Sequence, residues 1–102
     1  MSKVLIVDDS RTSRRILRNL LDENGYEVIE AENGELGVQK YKEVNPDIVT
    51  MDITMPVMDG LEALKAIREY DSNAKIVMVT AAGQESKVME AVKFGAAEFI
   101  TK

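Results

Sequence analysis

The chain reads as a doubly wound α/β domain: a parallel five-stranded sheet with helices on both faces. Two observations predict this. Five short runs are continuously apolar or β-branched instead of alternating with polar residues, which is the pattern of strands buried on both faces. Between them lie amphipathic segments of helical period, and strands that alternate with helices build right-handed βαβ units around a parallel sheet. At 102 residues the chain has room for one such domain, spanning residues 1–102, and for a real core.

Each element can be justified in order. The first strand is Val4–Val7, and it runs directly into Asp8, Asp9 and Ser10. A helix over Ser13–Asn24 carries Ile16, Leu17, Leu20 and Leu21 on one stripe and is stopped by Gly25, a residue suited to the position after a helix end. Val28–Ile29 is the second strand and Glu35–Val44 the second helix, with Pro46 punctuating the approach to the third strand, Ile48–Met51. Leu61–Tyr70 forms a third helix and Ile76–Val79 a fourth strand. The last helix, Gln84–Phe94, places Val88, Ala91 and Val92 inward and ends at Gly95, before a fifth strand at Phe99–Ile100. Met51, Met55, Met58, Met78 and Met89 read as core or loop filler. No linker, repeat or low-complexity tract interrupts the pattern.

Composition removes several function classes. A net charge of −5 argues against nucleic-acid or anionic-membrane partners, which require clustered Lys and Arg. The absence of cysteine excludes disulfides and thiolate metal sites and favours a reducing compartment. Histidine is absent too, so the chemistry available is that of carboxylates, Lys, hydroxyls and backbone. No apolar run is long enough to span a bilayer and the N-terminus leads into a strand, so a cytoplasmic location is expected.

In a doubly wound sheet the ligand lies beyond the carboxyl ends of the strands, where strand order reverses. Those ends carry Asp8 and Asp9, then Asp52, Thr80 and Lys102. Taken singly each is ordinary: an Asp-Asp pair after a strand is more often a turn and helix cap, and a lone Lys is usually surface. Together, three carboxylates, a hydroxyl and an ammonium at one edge suit a hard cation and a phosphoryl group. Two adjacent aspartates in a half-buried place repel each other unless a positive charge offsets them. Mg²⁺, bound by one or two carboxylates together with phosphate oxygens, supplies that charge. Asp52 is then placed to act as a carboxylate nucleophile, with Lys102 balancing phosphoryl charge and Thr80 donating a hydrogen bond. With no histidine in the chain, the phosphoryl donor has to be another molecule.

Four segments carry a resemblance: V-L-I-V-D-D-S, D-I-V-T-M-D-I-T-M-P-V-M-D-G, I-V-M-V-T-A and F-G-A-A-E-F-I-T-K. The chain resembles, over its whole length, a receiver domain of two-component response regulators, in style the single-domain chemotaxis (CheY-like) type. The resemblance, and not the periodicity, implies the flavodoxin-like strand order 2-1-3-4-5. It implies Asp52 as phosphoacceptor for a sensor histidine kinase, and Mg²⁺ held by Asp9, Asp52 and the backbone carbonyl of Thr54, with Asp8 acting largely through water. It further implies Thr80 and Phe99 as a switch pair, in which the hydroxyl moves toward the phosphoryl group and the ring turns inward, and Lys102 as the phosphate-pairing lysine. Thr54, two residues after the acceptor, occupies a place that influences phosphoryl hydrolysis in this family. Gly60 suits a tight turn just past the acid site, or simply the first residue of a helix. The pattern departs at Lys102, where the family continues with a proline and a fifth helix beside the first. The final helix is thus expected to be missing, with Ile16, Leu20 and the fifth strand left to self-association or to completion by another chain.

The leading functional reading is a phosphorylation-controlled signalling module that switches binding to a downstream target. Three rivals differ in class. A haloacid-dehalogenase-like phosphatase wants D-x-D-x-T after the first strand, where this chain has D-D-S-R-T. A flavin carrier wants a hydroxyl- and glycine-rich phosphate loop there, and two aspartates would repel the flavin phosphate. An inert fragment or engineered scaffold of the same fold is the third.

Overall fold

A computed structural model describes residues 2–81 and 83–101. Strand β1 is Lys3–Val7, followed by α1 (Arg11–Glu23), β2 (Glu27–Ala31), α2 (Gly34–Val44), β3 (Ile48–Asp52), α3 (Gly60–Tyr70), β4 (Ile76–Thr80), α4 (Glu85–Lys93) and β5 (Glu98–Thr101). The five strands form one parallel sheet in the order β2-β1-β3-β4-β5, as the resemblance implied. Strand order reverses between β1 and β3: the chain leaves β1 outward to β2, then returns to pair Val7 with Met51.

The sheet separates two apolar layers by the period-two alternation of its strands. Leu5 and Val7 of β1, Val49 and Met51 of β3, and Ile76 and Met78 of β4 face a large core completed by Tyr41 of α2, Leu61, Leu64 and Ile67 of α3, and Ala91 of α4. On the opposite face Val4, Ile6 and Val28 meet Leu17 and Leu21 of α1. Only half of the expected α1 stripe is therefore inside. Ile16 and Leu20 are 65% and 55% exposed, and beside them Ile100 of β5 is 54% exposed. Together with Val79, these residues line an open apolar groove of about 520 Å³.

Local signals explain the boundaries. Ser10 accepts from the Ser13 amide at the start of α1, Asn33 from Leu36 at α2, and Asp59 from Glu62 at α3, each satisfying a donor the helix itself leaves over. Gly25 and Gly95 follow α1 and α4 with positive φ, where the sequence placed them. One methionine departs from expectation: Met51, Met55 and Met78 are buried, but Met89 is 63% exposed because it lies on the outer side of α4, whose sole buried residue is Ala91. Among the described residues no helix is long and apolar enough to cross a membrane.

Candidate functional site

The carboxyl ends of β1 and β3 bring Asp8, Asp9 and Asp52 together, with one carboxylate oxygen from each lying within 4.8 Å of the other two. Asp8 and Asp52 are buried, and Asp9 is exposed at the rim. The β1–α1 turn fixes the first pair. The Asp8 amide donates to the Ala31 carbonyl at 3.1 Å, which prolongs the β1–β2 ladder by one residue. Its carboxylate accepts from the Ser10 amide at 2.9 Å, and the Ser10 hydroxyl in turn caps α1. The turn-and-cap reading of the Asp pair and the acidic-pocket reading thus both hold, because the same turn produces both.

Arg14 adds a support that the sequence reading missed. Its guanidinium donates to the Asp8 backbone carbonyl at 2.7 Å and pairs with Glu30 of β2 at 3.1 Å, while Arg18 also pairs with Glu30. The hydrogen bond from Arg18, reinforced by Arg14, holds the Glu30 carboxyl below the usual carboxylate range, and the Arg18 guanidinium is correspondingly raised. The two arginines stand one helical turn apart, which is legible. Their partner on a neighbouring strand is not legible until the strands are placed.

Asp52 is the last residue of β3, and its carboxylate accepts from the Ile53 amide at 3.0 Å. The following loop is tied down at both ends. Gly60 donates to the Ile53 carbonyl at 2.7 Å, and Gly34 donates to the Met58 carbonyl at 3.0 Å. A Cβ at Gly60 would lie 2.0 Å from the Asp52 carbonyl oxygen, and one at Gly34 would lie 2.3 Å from that of Met58. Gly60 is thus needed for close approach of the α3 start to the Asp52 backbone, and not for a tight turn with unusual dihedrals. The sharp bend falls at Val57 instead, at φ 69°, where the Met58 amide closes onto the Pro56 carbonyl at 2.7 Å.

Thr80 ends β4 and is buried, and Phe99 of β5 packs half-buried against the larger core. They share a pocket of about 270 Å³ with Ala81, Gln84 and Val88. Thr54 is exposed at the rim, and its hydroxyl accepts a hydrogen bond from the Gln84 side chain at 2.8 Å. Lys102 lies outside the described residues. Hence the structure gathers Asp8, Asp9 and Asp52, sets Thr80 one residue past the Asp52–Val79 pairing, and leaves Phe99 behind it. Three hard oxygen donors, in a chain without His or Cys, form a donor set suited to Mg²⁺ and not to a soft metal.

Residues 4–102 match the Response regulator receiver domain family. The chain belongs to that family. It is 52% identical over 101 residues to the chemotaxis protein CheY of Bacillus subtilis (strain 168), a similarity covering 98% of this chain and 84% of the relative. Among solved structures, the CheY of the CheX–CheY–BeF₃–Mg²⁺ complex from Borrelia burgdorferi superposes with a TM-score of 0.92 at 44% identity, covering 99% of this chain and 78% of that one. The response regulator TrrA from Thermotoga maritima, solved with Mg²⁺ and beryllofluoride, gives a TM-score of 0.90 at 37% identity, covering 100% and 87%. This receiver domain is accordingly a phosphorylation-controlled signalling module of the CheY-like type. The phosphatase and flavin-carrier readings are set aside on that membership.

Proposed function

We propose that Asp52 is the phosphoacceptor and that Asp9, Asp52 and the Thr54 backbone carbonyl ligate Mg²⁺, with Asp8 acting through water. The observation that carries this is the convergence of three carboxylates within 4.8 Å at the sheet's switch point, two of them buried. Bound Mg²⁺ would offset the carboxylates' mutual repulsion and the charge of an incoming phosphoryl donor. The phosphoryl group comes from the phosphohistidine of a sensor kinase. A carboxylate oxygen of Asp52 bonds to phosphorus as the P–N bond breaks, and the imidazole leaves with the bonding pair and takes up a proton. Return to the resting state is hydrolysis, in which water bonds to phosphorus and the Asp52 carboxylate is released; the domain promotes both transfers on itself and turns over no separate substrate. Thr80 donates to the phosphoryl group, Lys102 balances its charge, and Phe99 turns into the pocket that it shares with Thr80. The altered α4–β5 surface then changes affinity for an output target, in a cytoplasmic setting.

A calorimetric Mg²⁺ titration tests the ligand set. Weak binding in the parent, lost in both Asp9→Ala and Asp52→Asn, is the expected result, because each change removes one of the two carboxylates proposed to ligate this strongly hydrated ion directly. Equal Mg²⁺ affinity in Asp9→Ala would place the metal elsewhere.

A further inference from the structure

Gln84 makes two contacts across the mouth of the site that the phosphotransfer reading does not use. Its side-chain Oε1 accepts from the Ala81 amide at 2.6 Å, and its Nε2 donates to the Thr54 hydroxyl at 2.8 Å. One carboxamide thereby ties the β4–α4 connection to the β3–α3 loop, spanning thirty residues of sequence. Gln84 also stands at the N-cap position of α4, where a short polar side chain would ordinarily bond back into the helix. Here no such bond is made: the carboxamide is committed outward, while the Gln84 carbonyl accepts from Lys87 and Val88 to start the helix. Ala91 is the one buried residue of α4 and Val88 packs half-buried against the core, so the two Gln84 bonds add a polar tie to the first turn beside that apolar one.

We propose that Gln84 is a positioning residue, a two-ended latch that holds the β4–α4 connection and the start of α4 in the unphosphorylated arrangement and is released when Asp52 is modified. This rests on the reading of Asp52 as phosphoacceptor. The physical reason for release is competition. Strand register pairs Asp52 with Val79, so the Ala81 amide is the first backbone donor past the end of β4 on the same rim. A phosphoryl oxygen is charged, and charge-assisted hydrogen bonds are about twice as strong as bonds to a neutral amide oxygen. Thr80 directly precedes Ala81, so movement of its hydroxyl toward Asp52 also bears on the Ala81–Gln84 bond. Bonds made only in the resting state reduce the population competent to hold the phosphoryl group, and lower its apparent affinity by that fraction.

The test uses beryllofluoride with Mg²⁺ as the phosphoryl mimic, followed by fluorine NMR titration of the 102-residue protein. Gln84→Leu keeps the bulk and removes both bonds, and it should bind beryllofluoride about three- to tenfold more tightly, the worth of about one net hydrogen bond. Mg²⁺ affinity without beryllofluoride should stay at the parent value, a combination that general loosening of the fold would not give. Thr54→Val removes only the hydroxyl end and should shift affinity in the same direction by less. Unchanged or weaker beryllofluoride binding in Gln84→Leu overturns the latch, and tightening there with none in Thr54→Val overturns its two-ended form. A parent that takes up no beryllofluoride overturns the Asp52 assignment and the latch together, whereas a binding parent matched by both variants overturns the latch alone.

Discussion

Gly60 sits so close to Asp52 that a single added methyl group would fall 2.0 Å from the Asp52 carbonyl oxygen. The obstacle is backbone, not the tip of a flexible side chain, so it cannot be relieved by a rotamer change. Gly60→Ala is therefore expected to push the start of α3 away from β3, break the Gly60–Ile53 hydrogen bond and cost roughly the 1–3 kcal/mol of an overpacked core site, or more. Denaturant unfolding of the variant would check this, and because Asp52 lies at the clash, Mg²⁺ binding should weaken with it.

Tyr41 and Asp71 give the protein a pH signature at both ends of the scale. The Tyr41 hydroxyl donates to Asp71 at 2.7 Å; burial first and this bond second push the phenol up to about 12, and the same bond lowers Asp71 below the usual carboxylate range. The raised phenol contributes stability that is fully present below the unfolded value of 10.0 and is lost as pH rises toward about 12. The lowered carboxyl contributes stability present above 3.8 and lost as pH falls through its folded value. Tyr41→Phe should remove the phenol component and reduce the carboxyl one, to which the Asn73 amide still donates, leaving a flatter stability profile between pH 10 and 12 than the parent in chemical unfolding across pH.

The groove between α1 and β5 should make the 102-residue polypeptide self-associate. Ile16, Leu20 and Ile100 are each more than half exposed on one side of it, and fully burying such a side chain is worth about 1.5–3 kcal/mol. Sedimentation should show concentration-dependent mass, removed when Ile16 and Leu20 are both changed to Lys. A concentration-independent monomer would mean that the groove tolerates water.

How much of this was legible in the sequence follows from which signals are local. Strand cores were readable because Val4–Val7 and Ile76–Val79 are unbroken β-branched or apolar runs, and the acidic residues follow from strand ends. Strand β2 was read as Val28–Ile29 but extends over Glu27–Ala31, since Glu27 and Glu30 on an edge strand look like loop. Helix α1 begins at Arg11, two residues earlier than its apolar stripe suggested, because Ser10 caps it. Gly60 is the first residue of α3, one of the two roles open to it, but its close contact with the Asp52 backbone and the bond from Gln84 to Thr54 are not legible in the sequence, as both depend on where distant backbone segments come to rest. Residue types and strand ends place the acidic cluster; the restraints that hold it come from tertiary neighbours.

The most direct measurement of the central claim is intact mass, followed by peptide mapping, after treatment with Mg²⁺ and acetyl phosphate. The expected result is a single added phosphoryl group on the peptide containing Asp52, absent when Mg²⁺ is chelated and absent in a folded Asp52→Asn variant. A phosphoryl group on any other residue, or one that persists in Asp52→Asn, would contradict the account.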